Sequence, residues 1–185
     1  MRLRALEVDP DAFGATFEDE RARPEGFWRD RIATSAWFLA WAGQQPVGIV
    51  AAVTPPLPTS VERQLDAMWV DPALRGHGVG EALVNAVLAW ARNQGAVFVS
   101  LTVLDGNDHA RWLYERSGFR STGEREPRPR NPSQMRERLR VSLSVAGGAP
   151  RAVPGPSEAD QRRQTTTEAD GITAGHKGQP GQTPT

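Results

Sequence analysis

Cysteine is absent from this chain of 185 residues, which excludes a disulfide framework, a thiolate metal centre and a thiol nucleophile. Net charge is absent as well. Lys and Arg number 22 and Asp and Glu 22, so no basic surplus marks nucleic acid as a principal partner. No apolar run approaches the roughly 20 residues that span a bilayer, and the Met1 end lacks the apolar core of a secretory leader. A cytoplasmic protein with no membrane partner is the expectation. Lysine is reduced to Lys177 and tyrosine to Tyr114, the single Tyr of the chain.

Aromatic residues are present but unevenly spread. The six Trp and six Phe all precede Pro127, and about 145 residues are enough to bury a sizeable core. From Ala146 onward the chain is rich in Gly, Pro, Thr, Gln and Arg, a composition that cannot offset the entropy of ordering. A domain over residues 1–145 and a disordered tail over 146–185 are expected.

The most informative stretch is Met68-Trp69-Val70-Asp71-Pro72-Ala73-Leu74-Arg75-Gly76-His77-Gly78-Val79-Gly80, an apolar strand entering a glycine-rich turn that opens a helix. The first N–H groups of such a helix lack intrahelical partners and, with the helix dipole, favour a phosphate or pyrophosphate. A P-loop would need Lys-Ser or Lys-Thr after its last glycine, and Gly80 is followed by Glu81-Ala82, so that class fails. A dinucleotide fingerprint would need glycine where Glu81 stands. A second segment, Asn107-Asp108-His109-Ala110-Arg111-Trp112-Leu113-Tyr114-Glu115-Arg116-Ser117-Gly118-Phe119, sets Ala110, Leu113 and Tyr114 on one helical face and Gly118 at a left-handed helix stop.

Arg75-x-x-Gly78-x-Gly80 and Asn107-x-x-Ala110-x-x-Leu113-Tyr114-x-x-x-Gly118-Phe119, in this order and spacing, resemble the two signatures of the GNAT N-acetyltransferase superfamily. The resemblance covers roughly residues 5–143 and implies an α/β fold, a mixed central β-sheet flanked by helices. It also implies acetyl-CoA as acyl donor, no metal, and a small-molecule or peptide amine as acceptor. The family has a strand before its first helix, whereas this chain starts partway into that helix. The strand around 36–41 would then keep an unpaired edge, which invites a homodimer.

Periodicity agrees with the resemblance. Residues 9–32 read as helical with a break at Pro24-Glu25-Gly26, and 36–41 and 47–53 as a hairpin around Gly43-Gln44-Gln45. A Pro-rich loop over 54–60 comes next, then a strand over 61–70, a helix over 78–94 burying Leu83, Val87, Leu88 and Trp90, and a strand over 96–104. A helix over 107–117 precedes strands over 119–124 and 136–145. The loop 54–60 and the segment 126–135 are expected to border the acceptor cleft.

Family likeness assigns the roles. The N–H groups of Gly76, Gly78, Val79 and Gly80 would hold the CoA pyrophosphate, and Arg75 would shape the loop or pair with a phosphate. Backbone groups from Met68 to Val70 would run along the pantetheine arm. Asn107 would bond that arm, cap its own helix, or do both. Tyr114 would be the general acid for the departing thiolate, with a plain core tyrosine as the rival reading. Relatives carry a glutamate where this chain has Gln64, which accepts no proton at neutral pH. Glu62 and Asp66 share the strand side of Gln64, and Asp66, nearer the acetyl site, is the preferred base. His77 and His109 read as exposed. A binding protein of the same fold that kept the loop but lost the chemistry is the competing expectation.

Overall fold

The computed structural model describes residues 1–55 and 61–143. The expected tail, and Pro56 to Ser60 of the Pro-rich loop, lie outside the described residues. No helix among the described residues is long and apolar enough to cross a membrane.

Residues 9–32, expected as one helix with one break, form shorter pieces. Helix α1, Arg2–Val8, buries Ala5 and Leu6 and ends at Asp9. Pro10 has no N–H to continue it, and a single 3-10 turn, Pro10–Ala12, comes next. Helix α2, Phe17–Arg21, opens where the Thr16 hydroxyl accepts a hydrogen bond from Asp19 N at 2.9 Å. Helix α3, Glu25–Thr34, starts behind Pro24.

Strands β1 (Ser35–Ala42) and β2 (Gln45–Val53) form the expected hairpin, with Gly43 left-handed at φ +59 in its turn. Strand β3, Glu62–Val70, pairs antiparallel with β2. Helix α4, Val79–Asn93, returns the chain to β4, Phe98–Leu104, parallel to β3. Helix α5, Asp108–Arg116, leads to β5 (Arg120–Arg128) and β6 (Asn131–Ser142). The six-stranded sheet has the order β1-β2-β3-β4-β6-β5. β1 is an edge strand paired only with β2, as anticipated.

Residues 126–135, which lie between the strands expected over 119–124 and 136–145, are the far end of the β5–β6 hairpin, with Arg128 opposite Asn131 across a tight turn. The apolar pattern is silent here because β5 is an edge strand carrying polar residues on both faces.

Each face of the sheet carries its own core. Leu83, Val84, Val87, Leu88 and Ala91 of α4 pack with Val50, Ala52, Leu65, Val70, Leu101, Tyr114 and Phe119. Trp90, expected on the buried side of α4, is partly buried against that cluster. The opposite face buries Ala5, Leu6 and Phe13 against Ile49 and Trp69. Each such buried Leu, Val or Phe contributes about 1.5–3 kcal/mol.

Strand β3 changes parity along its length. Leu65 and Val70 face α4 while Trp69 faces α1, an alternation that a regular strand could not produce. Ala67 and Met68 together oppose Val50, since Ile49 pairs with Trp69 and Ala51 with Asp66. This is a β-bulge, with Ala67 at φ +55, the one non-glycine residue at positive φ among those described.

Candidate functional site

The bulge lies where the sheet opens. β3 and β4 pair only through Glu62–Phe98, Arg63–Val99 and Gln64–Ser100. Beyond them β4 stays bonded to β6 as far as Leu104, and the backbone of β3 from Leu65 onward has no β4 partner. A cavity of about 330 Å³ lies at this parting, lined by Gln64, Ser100, Leu101, Thr102 and Arg138 among others.

The glycine loop closes the end of β3. Gly76 and Gly78 have φ +80 and +81, and a Cβ on either would meet nothing within 4 Å. The left-handed backbone, not lack of room, therefore demands glycine there. Gly78 is the N-cap of α4 and supplies no side chain to cap it. Among the described residues, no hydrogen bond is donated by the backbone N–H groups of residues 76–81. Residues 75–78 are exposed, and Val79 and Gly80 half-buried. The result is a set of unpaired donors at the positive end of a helix of 15 residues.

Close packing fixes where that helix starts. A Cβ on Gly48 would lie 2.9 Å from Leu83 Cδ1 and 3.3 Å from both Trp69 O and Val79 Cγ1, so α4 rests on the β2 backbone. A Cβ on Gly80 would lie 3.0 Å from Leu113 Cδ2 and 3.5 Å from Met68 Cε, bringing α4, α5 and the bulge together.

Arg75 takes the loop-shaping role. Its Nε donates to Val70 O at 3.1 Å, and its Nη2 pairs with Asp9 Oδ2 at 2.5 Å. The same Asp9 oxygen accepts from Trp69 Nε1 at 2.6 Å. Asp9 thus ties the glycine loop to the N-terminal helices, a role nothing in the sequence signals, because its partners lie 60 and 66 residues away. The carbonyl of Val70 is committed to Arg75, and the bulge at Ala67 and Met68 lies within the stretch of β3 that has no β4 partner.

Asn107 caps α5, its Oδ1 accepting from Ala110 N at 3.2 Å. Gly118 stops that helix at φ +92. Tyr114 is the one buried residue of α5 and meets the Phe119 ring edge-on, centroids 5.9 Å apart. Its hydroxyl makes no hydrogen bond within the described residues. Burial, and then the negative charge of Asp66, hold the phenol well above its ordinary pKa. It therefore stays protonated across the whole neutral range.

The two β3 carboxylates considered as base, and Gln64 between them, fare differently. Glu62 is held by Arg138 at 2.7 Å, and although burial raises its pKa, hydrogen bonds from Ser100 and Arg138 more than reverse this and lower it. Gln64 stands beside the parting of the strands. Asp66 is half exposed and lies 3.4 Å from Arg31 Nη2, while Arg31 also reaches the buried Glu20 at 3.3 Å and stacks over Trp37. His77 and His109 are exposed. Among the described residues no group of three or more His, Asp or Glu is placed to hold a metal ion.

The sheet is a mixed α/β one, parted between β3 and β4 beside a helix that starts on a glycine loop. Residues 3–119 match the acetyltransferase (GNAT) family model, and the chain belongs to that family. It is 39% identical over 95 residues to N-acetyltransferase 8F1 of Rattus norvegicus, covering 50% of this chain and 43% of that protein. It is 36% identical over 119 residues to the mycothiol acetyltransferase of Geodermatophilus obscurus, covering 63% of this chain and 38% of that protein. The chain thus spans about two fifths of the length of these relatives. Among solved structures, the ribosomal-protein-S18-alanine N-acetyltransferase of Escherichia coli shares the fold with TM-score 0.57 at 19% identity, over 78% of this chain and 90% of that one. A Bacillus subtilis acetyltransferase solved in complex with CoA matches with TM-score 0.54 at 19% identity, over 64% of this chain and 84% of that one.

Proposed function

We infer that the protein is a cytoplasmic acetyl-CoA-dependent N-acetyltransferase that passes the acetyl group directly to a primary amine of a small molecule or peptide. The observation that carries this is the row of N–H groups from Gly76 to Gly80 that are unpaired among the described residues, exposed as far as Gly78, at the foot of α4 and beside the parting of β3 and β4. These donors suit a pyrophosphate, and the unpaired β3 edge suits the amide-bearing pantetheine arm, which bonds to backbone as a strand would. Acetyl-CoA supplies the thioester, whose C–S bond breaks as the bond from amine nitrogen to acetyl carbon forms.

Each residue has work in that frame. Gly76, Gly78, Val79 and Gly80 bind the pyrophosphate, and Arg75 holds the loop in shape through Val70 and Asp9. Asn107 keeps its cap through Oδ1 and offers its amide N–H₂ to the cofactor arm. The backbone of the bulge at Met68 orients the thioester carbonyl and polarises it. Asp66 takes the proton that the amine must lose, its charge steadied by Arg31. Tyr114, protonated at every working pH, gives its proton to the departing sulfur and recovers one from solvent.

Release of free CoA thiol from acetyl-CoA, measured with a panel of primary amines, tests the reading. Amine-dependent release is expected. Tight acetyl-CoA binding with no release on any amine would make the protein a binding module of the same fold, which Gln64 in the usual glutamate position would then explain.

A further inference from the structure

The larger cavity, about 590 Å³, lies away from the glycine loop, between the N-terminal helices and the β5–β6 turn. Arg128 forms part of its wall and is only 7% exposed. Its Nη2 donates to Phe13 O at 2.7 Å and its Nη1 to Gln134 Oε1 at 2.8 Å, while its buried Nε has no partner. None of the ion pairs among the described residues involves Arg128 or its neighbour in the wall, Arg130. A guanidinium does not shed its proton, so Arg128 is a permanent buried cation facing neutral acceptors only. Such a charge is costly to keep unless something anionic joins it.

The cavity carries the other sign as well. Glu7, Asp11 and Glu18 line it, and none takes part in an ion pair among the described residues. This lining is tied to the glycine loop through the chain. Pro10 and Asp11 come directly after Asp9, which bonds both Trp69 and Arg75, and Leu6 of the lining packs with Trp69 beside the bulge.

We propose that this cavity receives the acceptor, and that the acceptor is an amino-acid-type zwitterion whose carboxylate is held by Arg128 and Arg130 and whose amine lies against Glu7, Asp11 and Glu18. The proposal rests on the N-acetyltransferase reading and narrows its substrate class. Two-sided charge makes the selection. A polyamine would leave Arg128 unpaired and meet Arg130 head-on, and a phosphate dianion would meet three carboxylates. A carboxylate monoanion suits a fork of guanidinium donors, and an ammonium on the same small molecule suits the carboxylates of Glu7, Asp11 and Glu18.

Acetyl transfer by the full chain is measured with the twenty common L-amino acids, each beside its carboxamide, and with spermidine, while calorimetry tracks acetyl-CoA alone. At least one amino acid is expected to exceed its amide about tenfold or more in kcat/KM. Arg130→Gln, at an exposed position, should bring that ratio toward one with the loss carried in KM; Arg128→Gln should do the same if its melting curve shows a folded protein. Equal use of acids and amides, preference for spermidine, or an Arg130→Gln enzyme with the ratio intact would overturn the proposal. Acetyl-CoA binding with no amino acid turned over would overturn it while sparing the acetyltransferase reading. Failure to bind acetyl-CoA would remove both.

Discussion

Tyr114 owes its chemistry to where it sits. Burial and the Asp66 charge keep its phenol protonated, while its hydroxyl makes no hydrogen bond among the described residues. Tyr114→Phe should therefore cut kcat by about 10²–10⁴, the usual worth of a general acid, and leave acetyl-CoA affinity and melting temperature almost unchanged. A fully active phenylalanine variant would make Tyr114 a core residue only. Asp66→Asn should lower kcat at neutral pH and recover as rising pH deprotonates the amine in solution. Glu62 is the weaker rival, because Ser100 and Arg138 already occupy it and hold its pKa down. The same recovery in Glu62→Gln, with Asp66→Asn behaving as wild type, would reverse that order.

Among elements, the β3 bulge decides how the sheet meets the site. It turns Val70 toward α4 and Trp69 toward α1, and leaves Met68 beside Gly80. Ala67 bears its positive φ, a backbone conformation that costs about 1–2 kcal/mol for a residue with a Cβ. Ala67→Gly should change stability by no more than about 1 kcal/mol, since relief of that strain offsets the lost methyl burial and the freer unfolded chain. Ala67→Val, β-branched in a left-handed conformation, should lose about 2 kcal/mol or more and most of the transfer activity. Equal stability of the two variants in denaturant unfolding would contradict the bulge.

The sequence announced much of this frame and none of its bulge. Leu83, Val87 and Leu88 recur at helical spacing, and Gly43, Gly78 and Gly118 mark stops and turns by their chemistry, so β1, β2, α4 and α5 were legible. Ala67 was not, because alanine gives no hint of positive φ and the apolar run Ala67 to Val70 hides its change of parity. The 3-10 turn and α2 are not told apart within the helix expected over 9–32, because Phe13 and Phe17, four residues apart, mimic one helical face across the gap between them. The glycine loop, Asn107 and Tyr114 were legible as a motif. Asp9, Arg31 and Arg128 were not, since each acts through partners far away in the chain.

At the scale of the whole molecule, arginine-to-carboxylate pairs stitch the elements together, and two of the carboxylates carry a pH signature. Glu137 is bonded by the Ser121 hydroxyl and by Arg111 at 2.6 Å, which lowers its pKa. Glu62 is lowered as well, from the ordinary 4.5. A carboxyl with a depressed folded pKa contributes stability above its unfolded value, and that contribution is lost as pH falls through the folded one. Melting temperature should stay nearly level from neutral pH down to about 5 and fall below the ordinary carboxylate range. Glu137→Gln should melt lower at neutral pH and show a shallower acid decline. An acid limb as steep as that of wild type would show that Glu137 is not among its causes.

The central claim is that the loop at the foot of α4 holds the acyl donor, and calorimetric titration of acetyl-CoA tests it most directly when two glutamate substitutions are compared. Gly78→Glu and Gly43→Glu each place a side chain on a left-handed backbone, at φ +81 and +59, with no atom within 4 Å of the new Cβ, so melting curves report the strain in each and binding reports the place. Loss of acetyl-CoA binding in Gly78→Glu, with wild-type affinity in Gly43→Glu and melting curves showing both folded, is the predicted result. Undiminished affinity in a folded Gly78→Glu protein would contradict it.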